Sequence, residues 1–66
     1  MKVFINDTAT GCEPGTTLKK LLEENDIPTE HVAVALDLEI IPRPAWDSTP
    51  LQEGSNIIII KAAQGG

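Results

Sequence analysis

Residues 53–61 read Glu53-Gly54-Ser55-Asn56-Ile57-Ile58-Ile59-Ile60-Lys61, and the four isoleucines decide the fold. A run of β-branched side chains without polar alternation favours a pleated, extended backbone. Such a strand belongs at the centre of a sheet, shielded on both faces or paired along both edges. Left as an open edge it would invite aggregation. Glu53 to Asn56 is a turn that leads into it, and Lys61 ends it. Residues 62–66, Ala-Ala-Gln-Gly-Gly, bring no core-forming side chain.

The rest of the chain supplies partners for that strand. Met1 to Asn6 alternates, with Met1, Val3 and Ile5 on one side and Lys2, Phe4 and Asn6 on the other, which is a strand period. Asn6-Asp7 makes a two-residue hairpin turn, since both residues tolerate positive φ. Thr8 to Cys12 returns as a second strand, interrupted by Gly11, and Pro14-Gly15 ends it. A helix follows, capped by Thr16 or Thr17. Leu18, Leu21 and Leu22 form its apolar stripe, while Lys19, Lys20, Glu23 and Glu24 take the wet side. Asn25-Asp26 and Pro28 close it near residue 25 after about two and a half turns. Val32 to Leu36 reads as a buried strand, Asp37-Leu38-Glu39 as a turn, and Ile40-Ile41 as a short partner strand. Three prolines make residues 42 to 50 a shaped loop with one helical turn around Ala45-Trp46, and Leu51 is an anchor. The order is β-β-α-β-β-β. The apolar faces balance if the first and last strands lie side by side.

Sixty-six residues make one domain, placed at 1–61, with 62–66 as a flexible tail. One cysteine and one histidine leave no internal disulfide and no ordinary zinc site, so no metal is expected. No apolar run approaches the ~20 residues of a membrane helix. Met1-Lys2 runs straight into a strand pattern rather than a leader, so a cytoplasmic protein without membrane contact is expected. The formal charge of −5 disfavours nucleic acid and favours partners with basic surfaces.

Catalysis has little to work with. A nucleophile needs a neighbouring base, and Cys12 and His31 are the sole candidates, with no third group to orient the imidazole. Cys12 reads as a small buried hydrophobe and His31 as a solvated loop residue. The ten carboxylates are scattered, and neither phosphate-loop nor dinucleotide glycine patterns occur. The chain is expected not to be an enzyme.

The Gly65-Gly66 pair stands out instead. At ~7% glycine usage, two glycines close a chain by chance about once in two hundred times. Without Cβ atoms they make a thread thin enough for a narrow channel, and five extended residues reach ~17 Å. A carboxylate is a poor electrophile, but joined to AMP it gains a good leaving group. A sulfur nucleophile then yields a thiocarboxylate and an amine yields a conjugate. On this reading the small protein is the substrate of its partners.

Phe4 to Asp7, Cys12, Thr17 with Leu21-Leu22, Val34-Ala35-Leu36, Ile40-Ile41-Pro42-Arg43, Trp46, Gly54 and Gly65-Gly66 carry a family resemblance that spans nearly the whole chain. In these the sequence resembles the ThiS family, the thiamin-biosynthesis sulfur carriers of the ubiquitin-like β-grasp superfamily. Two positions depart from the expected pattern: Ser55, where an Asp usually follows the turn glycine, and Gln64 before the glycines. The resemblance implies an α+β, β-grasp fold, a mixed sheet of four to five strands with one main helix packed on one face. It implies that an E1-like adenylating enzyme activates Gly66 with ATP, the nucleotide being consumed by the partner and no cofactor being bound by the carrier. Sulfur from a cysteine desulfurase then gives the thiocarboxylate used by thiazole synthase. Gly66 would carry the sulfur, and Gly65 and Gln64 would thread the partner's channel. A monomer forming transient heterocomplexes is expected.

Three residues are read as docking candidates. Phe4 faces outward from the first strand and is expected beside the tail. Trp46 is a lid over the end of the core first and a contact second. Arg43, solvated by default, would pair with a partner carboxylate. Two alternatives stand beside the thiamin reading: a sulfur carrier for molybdopterin or another acceptor, and a ubiquitin-like conjugation or interaction module.

Overall fold

The computed structural model describes residues 1–61. The expected tail, with Gln64, Gly65 and Gly66, lies outside the described residues. Among the described residues there are five strands, β1 (Lys2–Ile5), β2 (Thr8–Gly11), β3 (Val32–Leu36), β4 (Glu39–Ile40) and β5 (Asn56–Lys61). One helix, α1 (Leu18–Glu24), follows β2, and a 3-10 helix covers Arg43–Ser48. The strands form one mixed sheet in the order β2-β1-β5-β3-β4. The isoleucine strand is thus central, paired parallel to β1 and antiparallel to β3, and the first and last strands do lie side by side. β3 pairs with the isoleucine strand from Ile57 to Lys61, and β1 with its first two residues. Its second face is not shielded, since Ile60 is 46% exposed.

Two turns in the left-handed region set the registers. Asn6 and Asp7, at φ 47° and 69°, form the two-residue turn that pairs Ile5 with Thr8. Asp37 and Leu38, at φ 50° and 73°, do the same between Leu36 and Glu39. Gly11 does not interrupt β2 as expected: with no side chain to place it stays in the ladder opposite Lys2. Cys12 lies just past the strand. It is half-buried against the core, and its N–H donates to the Met1 carbonyl at 2.9 Å.

The helix begins where Thr17 Oγ1 accepts from the Lys20 N–H at 3.2 Å, and Thr17 rather than Thr16 is the cap. Thr16 is buried and donates its hydroxyl to the Glu13 carbonyl at 2.6 Å. At seven residues α1 is nearer two turns than the expected two and a half. Asp26, at φ 55°, ends it early: the Asp26 N–H donates to Glu23 and the Ile27 N–H back to Leu22. These are the paired bonds of a left-handed helix terminus.

A helix this short has no stability of its own, and packing supplies it. Leu18, Leu21 and Leu22 are fully buried and meet Val3, Val34, Ile57, Leu51 and Trp46 in one cluster. Alternation along the strands puts Val3, Val34 and Ile57 on the face that α1 covers. Phe4, Ala33, Ile58 and Ile60 fall on the other. Residues 49–51 run beside the start of the helix, with Leu18 N–H to Thr49 carbonyl and Leu51 N–H to Thr16 carbonyl, both at 2.9 Å. Leu51 is therefore the anchor it was read to be. Ser55 completes the turn before β5: its buried hydroxyl accepts from the Gln52 N–H at 2.9 Å, while Gly54 takes φ 82°. The departure from Asp at this position leaves the turn intact.

Candidate functional site

The last described residues of β5 are held from both sides. Lys61, the last described residue, is paired with Val32 across β3. On the other side β1 has already stopped, because the Asn6-Asp7 turn carries the chain away. That would leave the Ile59 N–H without a strand partner. Asn6 Oδ1 accepts from it at 2.8 Å, and the Asn6 N–H donates to the Ile57 carbonyl at 2.8 Å. A residue read only as a turn former thus also pins the final strand two residues before its end. The signal was an Asn, rather than Gly, at the first turn position, whose amide reaches along the neighbouring strand.

Arg43 is the docking candidate closest to this end of β5. Its Nη2 donates to the Thr29 carbonyl at 2.7 Å and lies 3.5 Å from the carbonyl of Val32, the residue facing Lys61. The guanidinium sits 4.5 Å from the Trp46 ring centroid, while Trp46 itself is 4% exposed and donates its indole N–H to the Ile41 carbonyl at 2.8 Å. The ring closes the core on one side and carries the arginine on the other, in the position of the lid.

Phe4 lies far from Lys61, the last described residue. It pairs with Asn56 at the start of β5, five residues before Lys61, or ~17 Å along a strand. The reason is that β1 pairs only with the first residues of β5. Phe4 is half-buried on the open face, with Lys2 Nζ 5.7 Å from its ring centroid.

Cys12 and His31 occupy opposite corners. Cys12 follows β2 at one edge. His31 precedes β3 at the end where Val32 meets Lys61. With β1 and β5 between them, three strand spacings of ~4.8 Å alone separate the two by about 14 Å. They do not form a nucleophile–base pair. Among the described residues no group of three or more His, Cys, Asp or Glu is placed to hold a metal ion, and no helix is long and apolar enough to cross a membrane.

A five-stranded mixed sheet with parallel first and last strands and one main helix across one face is a β-grasp domain of the ubiquitin-like kind. The ThiS family model matches residues 3–66. The sulfur carrier protein ThiS of Escherichia coli (strain K12) is 33% identical over 66 residues, the whole of both chains. The chain belongs to the ThiS family. A crystal structure of the thiamine biosynthesis protein ThiS from Geobacter metallireducens superposes with a TM-score of 0.88 at 23% identity, covering all of both chains. A solution structure of a thiamine biosynthesis protein from the same organism gives 0.74 at 23% identity, covering all of this chain and 88% of the other. These structures agree with the sheet order and the single main helix.

Proposed function

We propose that this protein is a sulfur carrier of thiamin biosynthesis and that the carboxylate of Gly66 is its reactive group. The observation that carries the reading is the reach of the family match, from Val3 through Gly66, together with full-length identity to a protein named as a sulfur carrier. The carrier catalyses nothing itself and works in the cytoplasm. An E1-like partner directs the Gly66 carboxylate onto the α-phosphorus of ATP, and pyrophosphate leaves. The acyl-adenylate then accepts the terminal sulfur of a desulfurase persulfide, and AMP leaves. A thiol cleaves the sulfur–sulfur bond and is oxidised to a disulfide, which frees the thiocarboxylate. That soft nucleophile is consumed by thiazole synthase. Gly65 and Gln64 thread the channel, and no cofactor is resident on the carrier.

The described body suits such a role. Lys61 is paired with Val32 of β3, and Asn6 holds Ile59 two residues before it on the other side, so the last described residues of β5 are a fixed base. Arg43 borders that point and offers a cation to a carboxylate on a partner.

Removing Gly66 tests the reading. The shortened protein is expected to keep its circular dichroism spectrum and melting temperature while thiazole formation in a reconstituted system falls to background. Thiazole synthesis at the wild-type rate would refute it. A conjugate through Gly66 in place of a thiocarboxylate would favour the tag reading.

A further inference from the structure

Two side chains stand in for backbone at the end of the sheet where β5 finishes. On the β1 side, Asn6 Oδ1 accepts the Ile59 N–H. The outer side of β3 has the same need. The Ile41 N–H donates to the Val34 carbonyl at 2.9 Å, and then Pro42, with no N–H to give, turns the chain away. The next carbonyl on that side of β3, two residues back, is that of Val32. Arg43 Nη2 lies 3.5 Å from it and donates to the Thr29 carbonyl at 2.7 Å.

The bond to Thr29 is short and charge-assisted, and it clips a turn. The chain bends at Glu30 and His31, with His31 at φ 61°, a left-handed position that glycine or asparagine fills most readily. Among the described residues, Arg43 is the only group outside residues 28–32 that hydrogen-bonds to residues 28–31. The guanidinium is itself located by the Trp46 ring, 4.5 Å away, and that ring belongs to the core. Contacts thus run from the core through Trp46 and Arg43 to the start of β3. The start of β3 in turn holds the end of β5. Because the Ile59 N–H points towards Asn6, alternation makes Ile60 and Ala33 the last pair to exchange ladder hydrogen bonds, and Lys61 faces Val32 without one.

We infer that Arg43 is a positioning residue for activation at Gly66. It fixes the first residues of β3, and through them the last described residues of β5, so that the carboxylate is presented from one place on the body. This rests on the reading of Gly66 as the group to be activated. Adenylation needs the carboxylate oxygen about 3–3.5 Å from the phosphorus that it attacks, and a misplacement of about 1 Å costs up to ~100-fold in rate. Lys61 is five residues before that carboxylate. A shifting anchor there is felt in the chemical step, whereas the surfaces by which the body docks are unchanged.

ATP–pyrophosphate exchange by the purified adenylating partner, with the full-length carrier varied in concentration, is read beside amide hydrogen exchange of the carrier alone. Arg43→Ala should keep the circular dichroism spectrum, because the side chain is exposed. Its Ile60 amide is expected to exchange about tenfold faster or more, with the Ile58 amide unchanged. In the same variant kcat should fall about tenfold, while KM for the carrier moves less than about twofold. Arg43→Lys keeps the charge but not the planar fork that stacks on Trp46, and should match Arg43→Ala in both readouts. A KM that rises with kcat unchanged, and is restored in Arg43→Lys, identifies a charge contact with the partner and overturns the inference. So does an unaltered Ile60 amide in Arg43→Ala, or a wild-type kcat in both variants; the proposed function stands in each case. Absence of exchange with the wild-type carrier removes the proposed function and this inference with it.

Discussion

Trp46 serves two needs of a very small domain at one position. Its ring fills the core beside Leu18 and Leu51, its N–H satisfies the Ile41 carbonyl, and its outer side supports Arg43 near the point where the chain leaves the sheet. A core this size supplies roughly 3–5 kcal/mol in all, and Trp→Ala in a core costs about 3–5 kcal/mol. Trp46→Ala should therefore be largely unfolded in urea titrations at 25 °C. Trp46→Phe keeps most of the volume but leaves the carbonyl without its donor, and should lose only about 1 kcal/mol. A folded Trp46→Ala protein with a wild-type midpoint would show that the ring is not part of the core. At this scale much was legible: a threonine cap at 16 or 17, the Asn6-Asp7 turn and the Leu51 anchor follow from local chemistry. The seat of Arg43 on Trp46 was not, because it depends on how a proline-shaped loop folds back. Nor was the positive φ of Leu38, since a leucine after Asp carries no local signal for it.

Among the elements, β5 carries the architecture. Four consecutive isoleucines demanded a central position, and the strand has neighbours on both sides. What the run itself does not say is how far each neighbour extends. β1 pairs with its first residues only, β3 with its length from Ile57 to Lys61. The gap beyond β1 is bridged by Asn6, and this is why Phe4 sits far from the strand's end while Arg43 sits near it. Asn6→Ala removes the acceptor for the Ile59 N–H. It should cost about 1 kcal/mol, with the loss concentrated at the end of β5. Native-state hydrogen exchange is the measurement: the Ile59 amide should lose protection well before that of Ile57. Equal protection at both amides in the variant would mean that the asparagine contact does not hold the strand. Asn6→Asp keeps an acceptor and should restore much of the protection. The helix shows the opposite balance. Its existence and its buried stripe were plain from leucine spacing, while its end was set by Asp26 adopting a left-handed turn that the Asn25-Asp26-Ile27-Pro28 sequence announces only loosely.

For the molecule as a whole, the topology separates its jobs. One sheet face and α1 make the core; the other face, with Phe4, Ile58 and Ile60, is not covered by the helix; and β5 ends at Lys61, near Arg43. The formal charge of −5 suits encounter with basic surfaces. The single cysteine and single histidine suit the proposed role, in which partners act on the carrier's terminus. The most direct measurement is the intact mass of the protein after incubation with its adenylating partner, ATP and a persulfide sulfur donor. The expected product has one oxygen replaced by one sulfur, and fragmentation places the exchange on Gly66. An unchanged mass with ATP consumed, or sulfur added at Cys12 instead, would contradict a carrier that works through its last residue.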